Sequence, residues 1–162
     1  MFNRNLSIIL LAQIFSFTAA PITVFLSAII GSSMIDIKFL ATLPIALMIL
    51  GTSIGSIFAS YLMSIKGRKF GFMAATLITS FAALFASFAI LNNLFILYCL
   101  CNFLIGIGYA FTAQYRFAAA ESVSKIFIPK AISYILFASM IGALLGPNIA
   151  TLTKDYISSS VY

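Results

Sequence analysis

The chain has 162 residues, 63% of them hydrophobic and 7% charged, with nine Lys and Arg against three Asp and Glu and a net charge of +6. An ordinary soluble domain is roughly 45–50% apolar and about 25% charged, so this composition excludes the water-soluble globular classes and makes the lipid bilayer the expected solvent. The charges stand singly or in short clusters between apolar runs, which argues against nucleic acid as a partner. His is absent and Asp36, Glu121 and Asp155 lie far apart, so no catalytic or metal-binding constellation can be assembled, and neither enzyme activity nor a cofactor is expected.

Five apolar runs approach the ~20 residues a spanning helix needs. The first, 6–30, follows Arg4 and contains Gln13 and Pro21. Its opening is similar to a secretory signal peptide with small residues at Thr18, Ala19 and Ala20, but the run continues well past the ~7–15 apolar residues of a signal core, so a retained helix is expected. Asp36 and Lys38 are the first charges after it. The second run, 39–63, carries Pro44, Gly51 and Gly55. Then comes Lys66-Gly67-Arg68-Lys69, which places three of the nine basic residues within four positions. The third run, 70–91, ends at Asn92-Asn93, expected to form a very tight turn. The fourth, 94–113, holds Asn102 and Tyr109, with Cys99 and Cys101 on different sides of a helix. A polar connection, 114–130, leads to the fifth run, 131–152, which contains Gly142, Gly146 and Pro147, and a short polar tail, 153–162, follows. The expected class is an all-α polytopic membrane bundle forming one transmembrane domain over 1–162.

With five crossings the basic residues sort by side. Arg4, Lys66, Arg68, Lys69, Arg116, Lys125 and Lys130 fall on one side, and Lys38 and Lys154 on the other. The positive-inside rule puts the seven in the cytoplasm, with the N-terminus inside and the C-terminus outside. The expected location is the cell membrane, the inner membrane in a bacterium. The basic turn is then a cytoplasmic link between two antiparallel helices.

An internal repeat is also suggested. Gly51-x-x-x-Gly55-x-x-x-Ala59 recurs as Gly142-x-x-x-Gly146-x-x-x-Ala150, 91 positions on, and Asn5-Leu6-x-Ile8 recurs as Asn93-Leu94-x-Ile96, 88 positions on. Small residues every four positions also arise simply from close helix packing. A real repeat of three helices would have copies of opposite topology, as in secondary transporters. It would pair helices two and five through their glycines, and it would start a sixth helix near residue 161, where the chain stops.

The basic turn resembles the loop between helices two and three of the major facilitator superfamily, patterned Gly-x-x-x-Asp-Arg-x-Gly-Arg-Arg/Lys. Gly67, Arg68 and Lys69 match, while Ser60, Ser64 and Ile65 replace the first glycine, the aspartate and the first arginine. Gly142-x-x-x-Gly146-Pro147 is similar to the helix-five signature Gly-x-x-x-Gly-Pro-x-x-Gly-Gly, and Asn102-x-x-Ile105-Gly106-x-Gly108 to a helix-four Arg-x-x-Gln-Gly-x-Gly. The resemblance implies a carrier that moves a small solute by alternating access between two six-helix halves. In it the loop would contact the other half, and Gly51, Gly55, Gly142, Gly146 and Pro147 would serve packing and gating. Five helices would represent an N-terminal half, truncated or split and inactive alone, with a separate C-terminal half as partner. The alternative is a non-transporting membrane subunit that packs against a partner protein. Gln13, Asn102 and Tyr109 are the candidate substrate-cavity residues, with interhelical hydrogen bonding as the competing reading.

Overall fold

The computed structural model describes the backbone of residues 3–35, 37 and 39–161; the side chains of Ala28 and of residues 150–161 are outside that description. Asp36, Lys38 and Tyr162, which entered the charge and end-of-chain expectations, lie outside the described residues, as do the side chains of Lys154 and Asp155. Regular structure among the described residues is helical throughout: α1 (Arg4–Met34), α2 (Leu43–Leu91), α3 (Phe95–Thr112), α4 (Tyr115–Glu121) and α5 (Ile128–Val161), with 3-10 turns at Leu40–Thr42 and Lys125–Phe127. Four stretches are long and apolar enough to cross a membrane: Arg4–Met34, Leu40–Leu91, Phe95–Glu121 and Lys125–Ile149.

The elements differ from the sequence expectation mainly at their ends. α1 starts earlier because Asn3 caps it: the Leu6 amide donates to Asn3 Oδ1 at 2.9 Å. The connection 114–130 holds α4 and a 3-10 turn, and the expected polar tail continues α5 to Val161. The Asn92-Asn93 turn is as tight as expected. Asn93 takes φ 52 and the Leu94 amide donates to the Ala89 carbonyl at 2.9 Å, closing the helix end in the left-handed manner.

The larger correction concerns α2. Separate helices ending near 63 and beginning near 70 were expected, but helical turns run up to Gly67 from both sides, and Lys66, Arg68 and Lys69 lie within those turns. A straight rod of 49 residues would be about 74 Å long, more than twice a ~30 Å hydrocarbon core. The chain instead reverses at Gly67, where φ is 81 and ψ 164. Glycine alone adopts this conformation without a Cβ penalty, and one residue replaces a loop.

The reversal is visible in what each limb of α2 meets on α3. Along the first limb, 43–66, Gly51 faces Phe103, Gly55 faces Ile107, and Ala59 packs with Phe111, so the two run parallel. Along the second, 68–91, Ala75 packs with Phe111, Ala82 with Ile105, and Ala86 and Ala89 with Tyr98 and Cys101, so the order is inverted. These contacts belong to one of two compact units, Val24–Gln114. A Cβ on Gly51 would overlap the Phe103 carbonyl, and one on Gly106 the Met48 carbonyl, so backbone lies against backbone. Alanines fill about half of the buried hydrophobic positions there, which lets the helices approach as small residues do in membranes.

The other compact unit comprises Met1–Thr23 and Tyr115–Tyr162. Its core joins Leu6, Ala119, Ala131 and Ile135. Gly142 and Gly146 face the carbonyls of Ile14 and Thr18 on α1, at 2.5 and 2.6 Å from an added Cβ. The expected pairing of Gly51 and Gly55 with Gly142 and Gly146 is therefore corrected: the first pair seats on α3 and the second on α1. Both pairs do mark close helix approach. Large apolar side chains such as Phe15 and Ile57, each 73% exposed, cover the outside, as lipid contact requires.

Candidate functional site

α3 carries a run of small and polar residues, and its polar side chains turn inward. Asn102 is 1% exposed and Tyr98 4%. The Tyr98 hydroxyl donates to Ser27 Oγ at 3.2 Å, the Ser27 hydroxyl donates to Asn102 Oδ1 at 2.8 Å, and Asn102 Nδ2 donates to the Tyr98 carbonyl at 2.9 Å. This network ties the end of α1 to α3 with neutral groups whose bonds strengthen in a low dielectric. Tyr109 is half-buried on the same helix, beside the cluster of Met48, Ala82 and Ile105. Cys99 and Cys101 are buried free thiols.

Gln13 belongs to the other unit and is 3% exposed. Its Nε2 donates to Ser139 Oγ at 2.6 Å, and the Ser139 hydroxyl donates to the Ile135 carbonyl at 2.9 Å. Because the single hydroxyl hydrogen of Ser139 is committed to Ile135, Ser139 only accepts from the amide. Gln13 Oε1 therefore points elsewhere, and it is buried without a hydrogen-bond partner among the described residues. Such an acceptor costs about 1–3 kcal/mol.

The basic turn is organised by a residue outside its own segment. Arg68 Nη1 donates to Gln114 Oε1 at 3.2 Å, and Gln114 Nε2 donates to Ser60 Oγ at 3.1 Å. Gln114, just past α3, thus links both limbs of α2, and Ser60 occupies the position of the family pattern's first glycine. Lys66 Nζ sits 4.8 Å above the Phe70 ring. Lys69 is exposed, and nothing lies within 4 Å of where a Gly67 side chain would begin. Pro147 lies within α5, one turn past Gly142 and next to Gly146. Among the described residues no group of three or more His, Cys, Asp and Glu could hold a metal ion.

Ser27, Tyr98, Ser139 and Gln114 carry this polar architecture but were not singled out from sequence. Serines abound in the apolar runs and bond back to their own helix, so position alone marks none of them. Gln114 had one available signal: it is the first polar side chain after Thr112, one helical turn from the last buried positions of α3.

The comparisons agree with this architecture. The family described as sugar (and other) transporter matches residues 30–120, more than half of the chain. The chain is 28% identical over 160 residues to the riboflavin transporter RfnT of Brucella anthropi, covering 99% of this chain and 40% of that protein. It is 26% identical to the uncharacterized MFS-type transporter YdeG of Bacillus subtilis and 24% identical to YddS of the same organism, covering 98% of this chain each time and 37% and 36% of those proteins. The chain thus spans about two-fifths of the length of the curated relatives it matches. No solved structure matches it significantly. A bundle of apolar helices closed by glycine contacts, with a basic glycine turn between two limbs and a family match across it, identifies the chain as a multi-pass membrane protein that belongs to the sugar (and other) transporter family of major-facilitator carriers.

Proposed function

We propose that the chain forms part of one moving body of a carrier that takes a small solute across the cell membrane by alternating access. The observation that carries this reading is the backbone-to-backbone seating of α2 on α3 at Gly51, Gly55 and Gly106. Helices locked this closely move as a rigid body, and alternating access is the rocking of rigid bundles about a site between them. The relatives are longer by more than half their length, and the remaining helices supply the second body, from the same polypeptide or from a separate C-terminal half. Gln13, whose Oε1 is left over within its own unit, is the polar side chain offered to the solute, Asn102 braces α1 against α3, and Pro147 loosens α5 beside the Gly146 contact for gating.

In this reading the chain is a single transmembrane domain that crosses the bilayer five times, because α2 reverses at Gly67 and each limb is long enough to span alone. The seven basic residues of one side are cytoplasmic, with the N-terminus inside. Reporter fusions after Asn92 and at Tyr162 are expected to report the outside and one near Lys125 the inside; a cytoplasmic signal at Tyr162 overturns the topology.

Transport itself is tested in liposomes with a panel of small solutes that includes riboflavin, the substrate named for one relative. The 162-residue chain alone is expected to give no saturable uptake over empty vesicles, and coexpression with a C-terminal half to be required. Saturable uptake by the chain alone would replace this reading with a carrier built from several copies.

A further inference from the structure

The turn at Gly67 holds more positive charge than a link between two limbs requires. From Met63 to Phe72 there are three cations and no acid. The reversal at Gly67 gathers them at one end of two apolar limbs. Arg68 is held inward on Gln114, whereas Lys66 and Lys69 are exposed. Lys66 lies over Phe70, an aromatic residue 45% exposed at the edge of the apolar run. Trp and Tyr rings favour this headgroup level, and a phenyl ring with a cation above it presents a comparable apolar body and polar tip.

Below Lys69 the second limb continues as an exposed stripe at four-residue spacing. Met73 is 56% exposed, Leu77 57% and Phe81 60%. Each step of four turns the helix face by only about 40°, so a cation stands at the head of an apolar column that winds gradually around the limb. That order of charge then hydrocarbon is complementary to an amphiphile with an anionic head. A free phosphate would use the cations and leave the column without purpose.

We infer that this turn is a binding surface for an anionic phospholipid: Lys66 and Lys69 take the headgroup phosphate while an acyl chain lies along Met73, Leu77 and Phe81. The leaflet involved follows from the proposed orientation, but the binding does not depend on it, nor on whether the protein transports anything. The role differs from fixing topology, because it persists in protein that is already inserted.

The test uses the purified 162-residue chain in phosphatidylcholine bilayers containing trace spin-labelled phosphatidylglycerol or spin-labelled phosphatidylcholine. The fraction of motionally restricted label measures association. Each cation near an anionic lipid strengthens association by about fivefold, so wild type is expected to favour phosphatidylglycerol at least fivefold. K66Q/K69Q should bring that ratio close to one, and K66R/K69R should keep it. About 1 M salt, with a Debye length near 3 Å, should reduce the wild-type preference. Equal association of the two lipids with wild type, or full preference in K66Q/K69Q, overturns the inference. Displacement of the labelled lipid by millimolar inorganic phosphate also overturns it, since the site would then recognise a free anion.

Discussion

In the unit Val24–Gln114 the polar side chains buried between helices are paired with one another, whereas in the unit of Met1–Thr23 and Tyr115–Tyr162 a buried amide oxygen is left over. Both units seat helices on glycine, but the first does so with carbonyls overlapping the space a side chain would need at Gly51 and Gly106, and the second with slightly more room at Gly142 and Gly146. The contrast teaches that one sequence style, apolar helices with spaced glycines, yields two levels of completion. The first unit is closed on itself. The second keeps a hydrogen-bonding capacity that its own described residues do not use.

The sharpest way to break this contrast is to fill the glycine contacts. Gly106→Leu is expected to destabilise by at least about 3 kcal/mol, because overpacking costs about 1–3 kcal/mol where side chains can adjust and here the obstacle is the Met48 backbone. Gly142→Leu should cost somewhat less, since its nearest obstacle, the Ile14 carbonyl, stands slightly farther off, at 2.5 Å from an added Cβ. Thermal unfolding in detergent, followed by loss of the monodisperse peak, ranks the two. Equal tolerance at both and at lipid-facing Leu144 would mean that the glycines are incidental.

A smaller effect is expected from the polar pairs. Asn102→Leu leaves the Ser27 hydroxyl without its acceptor in a buried site, for a loss of about 1–2 kcal/mol. Gln13→Met removes the bond to Ser139 together with the unpaired oxygen, and these effects nearly cancel, so the expected change is within about 1 kcal/mol and can be stabilising. Melting temperatures of the two variants read the difference directly. If Gln13→Met proves as damaging as Asn102→Leu, Gln13 Oε1 has a structural partner and the two units are equally complete.

How much of this was legible beforehand depends on the kind of information each residue carries. The apolar runs located the helices because bilayer thickness sets their length. Asn92-Asn93 announced a turn because Asn tolerates the left-handed conformation. The basic stretch announced a turn between two antiparallel helices, but charge does not reveal that one positive-φ glycine suffices to reverse the chain, so the helices extend past 63 and start before 70. Gly51, Gly55, Gly142 and Gly146 declared a close-packed face, but a spacing of four reports the face and not the helix that meets it. The partners of Gln13 and Asn102 were hidden for a related reason. Ser27 and Ser139 look like many other serines until helices 75 and 126 residues away in sequence are brought together.

The one-residue reversal at Gly67 also decides where foreign sequence can be accommodated. An engineer placing an epitope tag or fluorescent protein would choose the hydrophilic stretch around Lys66 and Lys69. Helix abuts the glycine on both sides there, and Met63 packs against Gly71 across the bend, so an insertion would pry the limbs apart. The Asn92-Asn93 corner is equally taut, with its backbone bonds running straight from one helix into the next. The stretch from Ser124 to Ile126 is exposed between α4 and α5, opening on an extended Ser124 and a single 3-10 turn, so fusion partners belong there.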